Sequence, residues 1–130
     1  MLTRARIAVL VSGGGTNLEA LLRSQEGGSL SHGGIVLVCS SQPGAYALTR
    51  AANHGVPRAV VARSGKSQEA FEAELQEQLT RCQADLIVLA GFMSILSADF
   101  VRRWPDRIVN VHPSLIPSFC GKGYYGLRVH

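Results

Sequence analysis

The 130-residue chain contains no apolar run approaching the roughly 20 residues that a bilayer-spanning helix requires, and its first hydrophobic stretch, within MLTRARIAVLVSGGG, breaks at glycines after the length of a strand. Neither membrane insertion nor secretion is indicated. There is no CxxC pair: Cys39, Cys82 and Cys120 are odd in number and far apart, so no disulfide framework or zinc site follows. Three unpaired thiols suit a reducing, cytoplasmic setting, and each reads equally as a small buried hydrophobe. There is no basic block either. Eleven arginines and two lysines are scattered singly except at Arg102 and Arg103, with no interleaved aromatic stripe, which disfavours nucleic acid. A net charge of +4 fits an anionic small molecule better. Repeats and low-complexity tracts are absent. What is present is 46% hydrophobic and 17% charged residues, too apolar for a disordered chain and of a length for one domain over residues 1–130.

Short β-branched runs alternate with stretches of helical periodicity, the signature of βαβ units around a parallel sheet. Five strands are expected at Arg6 to Val11, Ile35 to Cys39, Arg58 to Ala62, Leu86 to Ala90 and Ile108 to Val111. The first helix opens near Thr16 and Asn17, with Leu18, Leu21 and Leu22 on one face. The second covers Ala45 to Asn53 and stops at Gly55 and Pro57. For the third, Ser67 is the cap and Phe71, Leu75, Leu79 and Cys82 form the buried stripe, leaving Glu69, Glu72, Glu74 and Glu77 to face water. A short fourth helix follows Ser97 and buries Phe100, Val101 and Trp104. The fold class expected is α/β, a doubly wound and mostly parallel sheet. Val111 to His130 reads as a long irregular loop, so the sheet is expected to be cut short after about five strands, without the covering elements such folds usually have.

Ser12-Gly13-Gly14-Gly15-Thr16-Asn17 joins the first strand to the first helix, where backbone N–H groups and the positive helix end can hold an anion. A dinucleotide fingerprint fails, because Leu18 stands at the third glycine position and the second strand ends in Cys39-Ser40-Ser41 without a ribose-binding acid. A Walker loop around Gly65-Lys66-Ser67 fails too, which leaves Lys66 as a solvated loop charge. Two readings remain for the glycine loop: a cradle for a phosphate monoester, with Thr16 and Asn17 adding side-chain hydrogen bonds, or a tight turn plus helix cap.

Asn110-Val111-His112-Pro113 lies at the carboxyl end of the fifth strand, where open α/β sheets place their chemistry. Residues two apart on a strand share a face, so Asn110 and His112 could converge on one reacting centre. An asparagine amide can donate to a developing oxyanion, and a histidine titrates near neutrality. The alternative is a satisfied polar pair at a strand end. His32 and His54 fall in surface turns, and His130 is terminal.

Three segments, VLVSGGGTNLEALL, LAGFMSILSADFV and NVHPSLIPSF, occur in order and at compatible spacing across the chain, and together they resemble the phosphoribosylglycinamide formyltransferases. The resemblance implies a fold of the formyltransferase type and transfer of the formyl group of 10-formyltetrahydrofolate to the amine of glycinamide ribonucleotide, in purine biosynthesis, without a metal. It places Gly15, Thr16 and Asn17 at the ribonucleotide phosphate, and makes Asn110 and His112 the catalytic pair. Gln68, Met93, Ser94, Ile95 and Leu96, with Asn110, fall on the folate side. The sequence departs from the family pattern at Ser94, where arginine often stands, and at Gln68, where a basic residue is common. An aspartate that raises the histidine pKa in the family has no counterpart at Asp85, Asp99 or Asp106, so an incomplete form of low or no activity is expected. The partners implied are small molecules, in the cytoplasm, with no nucleic acid or membrane. Methionyl-tRNA formyltransferases and formyltetrahydrofolate hydrolases share the HPSLIP loop but differ in the first loop, and a noncatalytic phosphate-ligand-binding module is the alternative of another class.

Overall fold

Residues 5–26 and 33–111 are described in the structure, a computed structural model. Their order is β1 (Ala5–Val11), α1 (Thr16–Glu26), β2 (Gly33–Ser40), α2 (Tyr46–Asn53), β3 (Arg58–Val60), α3 (Gln68–Arg81), β4 (Leu86–Ala90), α4 (Ala98–Arg102) and β5 (Ile108–Val111). All four strand pairings are parallel, in the sheet order β3-β2-β1-β4-β5. The chain winds outward from β1 through β2 to β3, then crosses by α3 to the other side of β1. The direction of winding therefore reverses between β1 and β4, which is where open α/β sheets leave a crevice at their carboxyl ends.

β1 can occupy the centre because it is apolar on both faces. Val9 lies opposite Val38 and Val88, and Leu10 opposite Cys39 and Leu89. Successive side chains alternate between two layers. Ile7, Val9 and Val11 pack with Leu18 and Leu22 of α1, Ala47 and Ala51 of α2, and Val56. Ala8 and Leu10 pack with Phe71, Leu75 and Leu79 of α3, and with Phe100 and Trp104 around α4. The expected doubly wound α/β class is thus observed, with five strands among the described residues.

Boundaries follow hydrogen bonding. Ser67 caps α3 by accepting from Ala70 N, and Ser97 caps α4 by accepting from Phe100 N, each worth about 1 kcal/mol. β3 ends at Val60 rather than Ala62, although Val61 N still donates to Ser40 O and Arg63 N to Ser41 O. Two surface expectations are corrected. Glu72 does not face water: it stands four residues from Gln68 and on the stripe of Leu75 and Leu79, and it is only 9% exposed. Lys66 is no solvated loop charge, since its Nζ donates to Ala62 O at 2.9 Å and to Glu74 at 3.0 Å. His54 falls in the turn after α2, as expected, and there, as the helix C-cap, it lies half-buried between two carboxylates of α1, Glu26 and Glu19.

These contacts join α1 to α2 through charge. Hydrogen bonds to Glu26 and then to Glu19 raise the His54 pKa above 6.5, while His54, Arg23 and Arg50 pull the Glu19 carboxyl down to about 2. A histidine whose pKa is raised on folding contributes fully below its unfolded value, and loses that contribution as pH rises through the folded one. In urea unfolding, the stability lost in His54→Ala is therefore expected to be largest near pH 6 and smaller at pH 9; equal losses at both would count against a charged His54.

Candidate functional site

The carboxyl ends of β1 and β4 flank the reversal of winding, and the loops that leave them, Ser12 to Gly15 and Gly91 to Ser97, meet there. A buried hydroxyl ties them together. Ser12 Oγ accepts from Met93 N at 2.9 Å and shares a 2.7 Å hydrogen bond with Ser41 Oγ at the end of β2. Sequence reasoning treated Ser12 only as the start of a glycine run; its position directly after a fully buried strand was the available signal.

Three successive carbonyls of the glycine loop are engaged. Gly13 O accepts from Ala47 N at 3.1 Å, Gly14 O from Arg50 Nε at 2.7 Å and Gly15 O from Glu19 N at 2.8 Å. In a trans peptide the N–H points opposite to the preceding C=O, and no peptide bond here is cis. With the Gly13 and Gly14 carbonyls turned toward α2, the N–H groups of Gly14 and Gly15 point away from it. They join the positive end of α1, where Thr16 is exposed and Asn17 half-buried. Such an arrangement suits an anion.

Arg50 was missed from sequence. It also donates to Glu19 at 3.3 Å and lies over the Tyr46 ring, 5.0 Å from its centroid. Its signal was spacing, because Ala47, Arg50 and His54 recur at i, i+3 and i+7 along the face of α2 that meets α1.

Beyond β4, Gly91 adopts φ +69° and turns the chain. Phe92 then packs inward, stacked on Phe71 with centroids 6.5 Å apart. Met93 and Ile95 point outward, 82% and 78% exposed, while Ser94 and Leu96 are half-buried. Gln68, from the start of α3, donates to Ile95 O at 2.8 Å, so four consecutive loop residues and the glutamine expected beside them are in fact brought together. The Gln68 amide also donates to Glu72, and its oxygen accepts from Arg63 at 3.3 Å.

Asn110 sits opposite Leu89 on β5, half-buried. By alternation it shares the face of Ile108, which packs in the α3 and α4 layer. His112 lies outside the described residues. Burial pushes the Cys39 thiol up to about 12, so it is inert at neutral pH. Among the described residues, no group of three or more His, Cys, Asp or Glu is placed to hold a metal ion, and no helix is long and apolar enough to cross a membrane.

Gly15 is the glycine that this geometry demands. Its φ is +81°, and a Cβ there would stand 2.7 Å from Ala47 Cβ and 2.9 Å from Ala47 Cα. Gly15→Ala is expected to lower unfolding stability by about 2 kcal/mol. Gly13→Ala, with nothing within 4 Å of the added carbon, should stay within about 0.5 kcal/mol of wild type. Chemical denaturation of the two variants side by side checks both values.

The profile of the family described as formyl transferase matches residues 5–129. The trifunctional purine biosynthetic protein adenosine-3 of Drosophila melanogaster is 46% identical over 120 residues, which cover 91% of this chain and 9% of that protein. The chloroplastic phosphoribosylglycinamide formyltransferase of Vigna unguiculata is 32% identical over 128 residues, covering 98% of this chain and 41% of that one. Among solved structures, glycinamide ribonucleotide transformylase 1 from Symbiobacterium toebii superposes with a TM-score of 0.79 at 39% identity, over 89% of this chain and 55% of that one. A formyltetrahydrofolate deformylase from Pseudomonas putida KT2440 superposes with a TM-score of 0.77 at 27% identity, over 85% and 38% respectively. The chain thus spans less than half the length of these two curated relatives and 55% of the solved transformylase chain. Sheet order, switch-point loops and family match agree: the chain belongs to the formyl transferase family, and its resemblance to the phosphoribosylglycinamide formyltransferases is borne out.

Proposed function

We propose that the protein carrying these residues transfers a formyl group from 10-formyltetrahydrofolate to the amine of glycinamide ribonucleotide, a step of purine biosynthesis. The observation that carries this is the meeting of two unlike surfaces at one switch point. An amide-lined turn after β1 suits a phosphate, and an exposed apolar pair after β4 suits a flat ring system; Ser12 Oγ holds the two loops together.

In this reading Gly15, Thr16 and Asn17 hold the ribonucleotide phosphate through backbone N–H groups and the start of α1. Met93, Ser94, Ile95 and Leu96, with Gln68 and Asn110, form the folate side, which fits because Met93 and Ile95 offer apolar surface while the loop backbone keeps its own hydrogen bonds. The bound folate supplies the electrophilic formyl carbon. Asn110 donates its amide to the oxygen that gains negative charge as the amine attacks. In the same reading His112 adds a positive charge as imidazolium and passes a proton to the departing nitrogen. Residues that recognise nucleic acid form no part of this scheme, nor does a metal. The setting is the cytoplasm, although the Vigna unguiculata relative is chloroplastic by name.

The structural likeness to a formyltetrahydrofolate deformylase favours a second reading, in which water replaces the amine. The anion-suited turn supports a phosphate-bearing acceptor instead. A coupled assay on the whole protein separates the two: formyl transfer to the ribonucleotide is expected, and formate release without an acceptor would overturn it. Phosphate-ligand binding without either reaction would instead identify a noncatalytic module. His112→Ala should lower kcat by about 100-fold or more while leaving the ribonucleotide KM near wild type. Asn17→Ala should act the other way, raising the ribonucleotide KM about tenfold with kcat little changed.

A further inference from the structure

Glu72 is a buried carboxylate that the mechanism above does not use. Taking a charge out of water is costly unless donors replace the lost hydration, and here three converge. Ser97 N donates to Oε2 at 2.6 Å, Ser97 Oγ to Oε1 at 2.6 Å, and Gln68 Nε2 to Oε2 at 2.7 Å. Burial pushes the Glu72 pKa upward, but the Ser97 hydroxyl, the Ser97 N–H and the Gln68 amide outweigh it and leave the group below its ordinary value. Ser97 is itself committed on its other side, since its Oγ accepts from Phe100 N and caps α4.

The backbone between β4 and α4 is consequently held at three points from two directions. Ser12 of the β1 loop holds Met93 N, Gln68 of α3 holds Ile95 O, and Glu72 of α3 holds Ser97 N. Yet the two large apolar side chains on this braced stretch, Met93 and Ile95, are turned to solvent, while Phe92 and Leu96 on either side pack inward against the α3 and α4 core. Exposed apolar groups on a fixed backbone have already lost the freedom that ligand binding would otherwise have to remove. They form a surface prepared for a partner.

We propose that Glu72 is a positioning residue for the formyl donor: through Ser97, and through Gln68 to Ile95, it sets the 93–97 backbone so that Met93 and Ile95 present a preformed apolar platform to the flat ring of the folate. This rests on the reading of the β4 loop as the folate side. Gln68 then acts through the main chain, as both hydrogens of its amide are engaged by Glu72 and Ile95.

The whole protein is compared with Glu72→Gln, which keeps the shape but places an amide donor against the donors of Ser97 and Gln68, and with Ser97→Ala, which removes one of the three contacts together with the side-chain cap of α4. Steady-state kinetics should show the KM for 10-formyltetrahydrofolate raised about tenfold in Glu72→Gln and about threefold in Ser97→Ala, with the ribonucleotide KM within twofold of wild type. Amide hydrogen exchange without substrates should rise at residues 93–97 and stay unchanged at residues 13–17. An unchanged donor KM in a folded, active Glu72→Gln protein overturns the inference, and so do KM values that rise together for both substrates. If Glu72→Gln does not fold, Ser97→Ala decides by the same two readouts. Wild-type protein that neither binds tetrahydrofolate in calorimetry nor transfers formyl overturns the functional reading instead, a result distinguishable from both.

Discussion

The double burial of β1 is the constraint on which the site depends. Val9, Leu10 and Val11 are fully enclosed because helices cover both faces of the sheet and strands flank β1 on both edges. A strand so enclosed has one outlet for function, its carboxyl end, where parallel neighbours end side by side and the winding reverses. Ser12 stands at that outlet. One buried hydroxyl there reaches Met93 of the β4 loop and Ser41 after β2, so three strand ends are coupled at one point.

Each of the two loops gains its shape from polar groups on neighbouring helices as well as from its own glycines. α2 draws in the carbonyls of Gly13 and Gly14 through Ala47 N and Arg50, which turns the following amides outward. α3 performs the corresponding task on the β4 loop through Gln68 and Glu72. In both cases a charged side chain sits on a helix face that would otherwise be apolar, and its partner is loop backbone. Preorganisation of this kind places donors and surfaces before a ligand arrives, which is the economical way to favour a charged transition state.

Much of the fold was readable from residue order. β4 and β5 fall where the sequence predicts, and Ser67 and Ser97 cap helices as serines before periodic segments should. The sequence reading failed at Glu72 and Lys66, and for one reason in both. A polar side chain was assigned to water by its type, whereas its exposure depends on what another element brings against it: Ser97 for Glu72, and Glu74 with the Ala62 carbonyl for Lys66.

Local pattern by itself determined the strands and helices, the two-sided burial of the central strand, and the glycine-rich turn that follows it. These are properties of neighbours within a few residues, set by backbone sterics and by apolar periodicity. Tertiary structure alone decided that Gly15 must lack a Cβ, because Ala47 crowds it from 32 positions away, and that Arg50 and Glu72 brace loops distant from them in sequence. Hydrogen bonds between remote groups depend on where folding carries their partners, and one-dimensional spacing contains no such distance.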